Sequence, residues 1–211
     1  MKARLGVICT LGALAAVAAA DLHALNVSVT RADMERALAL ARWPRTDADR
    51  ARFHSRYIIP VSRTPVDHWA VEQVEIVTEF RQIELTAEEH YRLGEAWGRG
   101  GLREVEDAIG PFRGKVRIVT RLGVRASRMY IGAAPPVEVG FAGGNRLVPI
   151  DVKRSNINAN CGGDANGCPL IGALVEATFD AKAIGQTSRT LVVDWERRVL
   201  ARVTIPFADI E

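Results

Sequence analysis

Residues 115–124, KVRIVTRLGV, set Val116, Ile118, Thr120, Leu122 and Val124 on one face of an extended chain and Lys115, Arg117, Val119 and Arg121 on the other. A period of two over ten residues is the mark of a strand with one buried and one wet face. The same alternation returns at Val137, Val139 and Phe141; at Val148, Ile150 and Val152; and at Ile171, Ala173, Val175, Ala177 and Phe179. It closes with Leu191, Val193 and Trp195, then Val199, Ala201, Val203, Ile205 and Phe207. Upstream, Val74, Ile76, Thr78 and Phe80 alternate with Glu75, Val77, Glu79 and Arg81, which makes seven strands. There the apolar positions shift to Ile83 and Leu85, so a bulge or bend is expected near Gln82.

Helical text lies before and between these strands. Thr30 caps a helix whose apolar face is Met34, Leu38 and Ala41, with Asp33 completing an imperfect capping box and Pro44 marking its end. Thr46, with Asp47 and Asp49 in the first turn, starts a second helix that runs to about Ser55. Tyr57 to Val61 reads as a short strand. Thr86-Ala87-Glu88-Glu89 reads as a capping box opening a helix with Tyr91, Leu93 and Trp97, stopped by residues 98–101, GRGG. Leu102, Val105 and Ile109 follow as a further short helix, ended by Gly110-Pro111.

The fold expected is α+β, mainly β: an antiparallel two-sheet β-sandwich, immunoglobulin-like in architecture, with an N-terminal helical appendage and an inserted helical hairpin. Its expected divisions are residues 1–20 as signal peptide, 21–60 as a helical N-terminal segment, and 61–211 as the sandwich with its helical insertion at 86–110. Asp194 to Arg198 reads as a tight hairpin between the last two strands.

Location is read from the first residues. Lys2 and Arg4 precede an apolar run from Leu5 to Ala19, and Ala18 and Ala20 supply an A-x-A cleavage pattern that leaves Asp21 at the mature terminus. The run falls short of the roughly 20 apolar residues of a membrane span, so no stable membrane insertion is expected once the signal is gone. The protein is therefore expected to be secreted or periplasmic. Cys9 would leave with the signal, and Asn26-Val27-Ser28 is a sequon only if the source is eukaryotic. The whole chain has 28 Lys and Arg against 25 Asp and Glu, and cleavage removes two of the basic residues. A nearly neutral mature chain offers no net attraction to nucleic acid, which is not an expected partner.

The cysteine-bearing stretch NANCGGDANGC, residues 158–168, is the most site-like in the sequence. Zinc is opposed by a spacing of six between Cys161 and Cys168 and by the lack of a second ligand pair. Calcium is opposed by Cys161 where the loop glycine belongs, Gly167 where a glutamate belongs, and Asp164 as the sole carboxylate. Redox dithiols use C-x-x-C at a helix start, which is absent here. The remaining reading is a disulfide, Cys161 to Cys168, pinning a glycine-rich crossover between a strand ending near Val152 and one starting near Leu170. Closing a loop of about eight residues contributes roughly 2.5 kcal/mol.

Other candidates have both a chemical and a plain reading. Asp67-His68 could activate a nucleophile or hold a metal, His90 with Glu88 and Glu89 could form an acid-base group, and His54 reads as a helix C-terminal cation or a partly buried ring. Glu104, Glu106 and Asp107 resemble a glycosidase carboxylate set but fall opposite Leu102, Val105 and Ile109 on a solvated helix face. Arg113, Arg117, Arg121, Arg125 and Arg128 could bind an anion or pair with acidic strands. Trp43, Trp69, Trp97 and Trp195 lie on different elements, which favours packing over a sugar platform. There is no G-x-S-x-G, P-loop, G-x-G-x-x-G or H-E-x-x-H motif. The function expected is that of a non-enzymatic binding or structural module of the envelope or extracellular space, with no cofactor and a protein or envelope component as partner. A hydrolase using His68 or His90 is the alternative.

Overall fold

The computed structural model describes residues 28–42, 46–61, 68–124, 133–159 and 168–210. The expected signal peptide, Trp43, Pro44, Asp67, Arg125, Arg128 and Cys161 lie outside the described residues. The elements run α1 (Arg31–Ala41), α2 (Asp47–Ser55), β1 (Ile58–Pro60), β2 (Trp69–Val77), α3 (Glu79–Arg92), α4 (Arg103–Ile109), β3 (Lys115–Val124), β4 (Glu138–Phe141), β5 (Asp151–Asn158), β6 (Leu170–Asp180), α5 (Ala181–Ile184), β7 (Arg189–Trp195) and β8 (Arg198–Ile205).

The protein is α+β and mainly β, with two antiparallel sheets. Five strands are ordered β1-β2-β3-β6-β5 and three are ordered β4-β7-β8. One hydrophobic cluster draws side chains from both, including Ile76, Ile118 and Phe179 from the larger sheet and Phe141, Val193 and Ile205 from the smaller. The alternation in β3 is obeyed in full, since Val116, Ile118, Thr120 and Leu122 are all buried. The hairpin of β7 and β8 turns at Glu196 and Arg197, whose φ values of +48° and +65° are those of a tight turn matched to strand twist.

The short strand expected at Tyr57 to Val61 is present as Ile58–Pro60 and pairs with β2, so with the seven others eight strands occur among the described residues. Two expectations about the strands are corrected. Val148 and Ile150 precede β5 and are exposed; the strand itself runs from Asp151 to Asn158 and is largely exposed at the sheet edge. Since β5 extends past Val152 and pairs antiparallel with β6, the two strands form a hairpin rather than flanking a crossover, with the Ala159 N–H donating to the Pro169 carbonyl at 2.8 Å.

A third correction concerns the start of α3. β2 ends at Val77 and the helix begins at Glu79, so neither a strand reaching Phe80 nor a helix opening at Thr86 exists. Thr78 is the cap, its hydroxyl accepting the Arg81 N–H at 3.2 Å, and the buried apolar residues Phe80, Ile83 and Ala87 then follow at helical spacing. Thr86 is in mid-helix, its hydroxyl donating to the Gln82 carbonyl at 2.9 Å. The irregularity in β2 lies between Val71 and Gln73 rather than near Gln82.

The helices have a core of their own. Met34, Leu38 and Ala41 of α1, Phe80, Ile83 and Ala87 of α3, and Val105 and Ile109 of α4 enclose it together with Trp97. The capping box at Thr30 and Asp33 is present, and Thr46 caps α2. Gly98 has φ +73°, and a Cβ there would meet Leu38 Cδ1 at 2.9 Å, so glycine lets the turn after α3 close on α1. Leu93, by contrast, is exposed. No helix among the described residues is long and apolar enough to cross a membrane.

Candidate functional site: a buried charged seam opening on a basic cleft

Between the two cores lies a polar layer. The inward face of α3 presents Arg81, Glu84 and Glu88 at helical spacing, and all three side chains are buried. β2 contributes Glu75, α2 contributes Phe53 and His54, and Tyr57 stands just before β1. Arg81 is fully buried, and it donates to Glu75 Oε1 at 3.1 Å and to Glu84 Oε2 at 3.4 Å. Its guanidinium lies 4.5 Å from the Tyr57 ring centre and 5.5 Å from that of Phe53, so two aromatic faces supply further stabilisation to a charge without water.

His54 links this charge to the next. Arg81 can only donate, so His54 Nδ1 accepts from it, which leaves the proton on Nε2 to be donated to Glu88 Oε2 at 2.9 Å. That arrangement is the neutral imidazole. Burial holds the His54 pKa below the usual histidine value, and the positive Arg81 lowers it further. Burial likewise drives Glu84 from 4.5 up to about 7 despite the Arg81 charge beside it. Tyr57 adjoins Glu84, and burial followed by that carboxyl's charge pushes its phenol upward.

At the outer end of the chain, Glu88 Oε1 lies 2.6 Å from Arg50 Nε, an ion pair without hydrogen-bond alignment. Here the layer meets solvent in a cleft of about 380 Å³ lined by Ala41, Arg42, Arg50, Glu88, Tyr91, Arg92 and Arg99. Arg42 is held by the Tyr91 hydroxyl, and its guanidinium lies 5.1 Å from that ring's centre. Four arginines therefore line a cleft with one carboxylate, Glu88, which is engaged by Arg50 and His54. Neither Arg92 nor Arg99 has an ion-pair partner among the described residues.

A third buried carboxylate fixes the frame. Glu79 accepts the Val29 N–H at 3.2 Å and also the Gly114 N–H, tying the entry of α1 and the approach to β3 to the first turn of α3. Gly114 has φ +68°, a conformation that favours glycine.

The histidines singled out in the sequence are not brought together. His68 is exposed at φ +76° before β2, and Asp67 lies outside the described residues. His90 contacts Glu95 and stacks on Trp97, with ring centres 5.2 Å apart, while Glu88 turns the other way into the seam. Glu104, Glu106 and Asp107 are exposed, and Glu104 accepts the Gly98 N–H at 3.3 Å. On β3, Arg117 pairs with Glu176 at 3.2 Å and donates to Gln82 at 2.7 Å, and Arg121 pairs with Glu72 at 3.2 Å. Trp69 belongs to the sheet core and Trp97 to the helical core, so these two share no platform. No group of three or more His, Cys, Asp or Glu side chains suited to a metal ion occurs among the described residues.

Sequence reading passed over Arg81, Glu84 and the cleft arginines. The available signal was the spacing of Arg81, Glu84 and Glu88, which shares one helical face once Thr78 is taken as the cap. No protein-family model, no curated protein and no solved structure matches the chain.

Proposed function

We propose that the protein is an exported, non-enzymatic binding module of the cell envelope or extracellular space, which meets its partner through the helical layer. The observation that supports this most is the chemistry of the cleft. Four arginines, a tyrosine and one ion-paired carboxylate can hold a charged surface or ligand, and the tyrosine hydroxyl and both carboxylate oxygens are already engaged, by Arg42, Arg50 and His54. The sheets serve as scaffold, and the reading of their packing is a two-layer sandwich, immunoglobulin-like in construction, supported by the cluster shared between them.

Export is the second half of the proposal. The basic and apolar start of the chain supports it, and so does the hairpin bond from Ala159 to Pro169, because Cys161 follows Ala159 by two residues and Cys168 directly precedes Pro169. A Cys161–Cys168 disulfide would close this turn in an oxidising compartment.

The test is an assay of the purified mature protein, and of His54→Ala, His68→Ala and His90→Ala, against chromogenic esters, glycosides, phosphomonoesters and peptides. No turnover above buffer is expected from any of the four proteins. Turnover abolished by His68→Ala or His90→Ala would replace this reading with the hydrolase.

A further inference from the structure

We propose that the cleft between α1, α2 and α3 binds a small polyanion, a ligand carrying at least two phosphate or carboxylate groups. This deepens the binding reading above and rests on it. The cleft's volume of about 380 Å³ falls at the lower end of ligand sites, which run to roughly 300–1,000 Å³, so it admits a small molecule rather than a folded segment. Its lining carries a formal excess of positive charge, four arginines against Glu88.

The arginines divide into two pairs. Arg42 is oriented by Tyr91, and Arg50 by Glu88 at 2.6 Å and Asp47 at 3.7 Å, so both are held in place before any ligand arrives. Arg92 and Arg99 are exposed and have no ion-pair partner among the described residues, which leaves their donors available. Guanidinium groups match phosphate and carboxylate with two parallel hydrogen bonds, and several converging on one cleft select for multiple negative charges. A neighbouring hollow of about 280 Å³ shares Arg42 and Arg99 and adds the Arg31–Glu35 pair, so these two arginines line both hollows.

Glu88 sets the depth of the site. It is ion-paired on one side with Arg50 and on the other accepts a hydrogen bond from neutral His54, whose orientation is fixed by buried Arg81. The seam thus anchors the floor of the cleft to the sheet, and the ligand engages the outer guanidinium groups.

The experiment is calorimetric titration of the mature protein at low salt with sodium pyrophosphate and, separately, with sodium citrate, using glucose as the neutral control. One anion per chain is expected to bind, and the stronger of the two arms identifies phosphate or carboxylate as the preferred group. Arg92→Glu/Arg99→Glu should weaken binding by at least about tenfold with unchanged thermal unfolding, since each lost charge-assisted bond is worth about a tenfold factor or more. Arg202→Glu on the distant strand β8 should bind as the parent does. Absence of binding by both anions, equal binding by the double variant, or equal loss in Arg202→Glu overturns the site. The first result leaves the module reading in place with another face as its surface, whereas only turnover in the hydrolase assay removes that reading.

Discussion

The five-stranded sheet meets the smaller sheet and the helices by opposite means. Toward the smaller sheet the contact is apolar: Phe141 packs on Phe179 and Phe207 at centroid distances of 4.9 and 5.7 Å, and all three rings are fully buried. Toward the helices the contact runs through Glu75, Arg81, His54, Gln82 and Arg117. A dry core gains stability in proportion to the apolar area removed from water and tolerates changes of shape better than changes of charge. A charged seam makes a smaller net contribution, because desolvation offsets attraction, yet it is sensitive to the loss of any one partner. The difference also bears on where a site can form, since the polar seam runs from fully buried Arg81 through His54 and Glu88 to Arg50 at the cleft.

The largest effect should separate the two regions. Phe141→Ala and Arg81→Ala are each expected to cost about 3–5 kcal/mol in chemical denaturation, the first by leaving a cavity and the second by stranding Glu75 and Glu84 without their cation. Replacing the pair together, Arg81→Leu/Glu84→Met, should cost less than Arg81→Ala alone, because the fully buried carboxylate leaves with its cation and only the partly exposed Glu75 loses its partner. A double variant as unstable as the single one would show that the seam is held by shape rather than by charge balance.

A smaller effect distinguishes them by pH. Glu84 has a folded pKa raised from 4.5 to about 7, so between those values the folded state keeps a proton that the unfolded chain loses, and its contribution falls as pH rises through that window. His54 is lowered below 6.5, so its contribution has the opposite sign: stability is present above that value and is lost on acidification toward the folded pKa. Comparing the parent with Glu84→Gln isolates the first slope. The parent is expected to lose stability relative to the variant between pH 5 and pH 7.5, over the range set by the Glu84 shift, whereas Phe141→Ala should run parallel to the parent. A constant difference between parent and Glu84→Gln would mean that the carboxyl titrates normally.

The smallest effect lies at the sheet edge. Cys161→Ser is expected to cost roughly 2.5 kcal/mol or less, the chain-entropy value for a loop of about eight residues. The purified parent should weigh two hydrogens less than its reduced form. Equal masses would exclude the bridge.

Alternation reports polarity, and this is why β3 and most of β6 and the last hairpin are legible in the sequence while the seam is not; Ile171 and Val199, read on the buried faces, are exposed at their strand starts. Arg121 is exposed as its spacing says, but the polar face that carries Glu75 and Arg117 reads as wet when α3 in fact reaches it through Arg81 and Gln82. The alternating text continues from Val74 through Phe80 across a helix cap, because Thr78 suits a strand as well as an N-cap. Tertiary contact decides between those roles: Phe80 and Ile83 are buried in the helical core, and Glu79 receives two backbone N–H groups from distant segments. The cleft was illegible for a related reason. Arg42, Arg50, Arg92 and Arg99 come from three helices and a turn, and no spacing in the chain announces that they converge.

The central claim is that ligand binding belongs to the helical layer and that the sheets support it. Amide chemical-shift mapping of the isotopically labelled mature protein during a pyrophosphate titration tests this most directly. Perturbations are expected to concentrate at Ala41, Arg42, Arg50, Glu88, Tyr91, Arg92 and Arg99, the residues that line the cleft. Shifts centred on β4, β7 and β8, or no shifts at all, would contradict it.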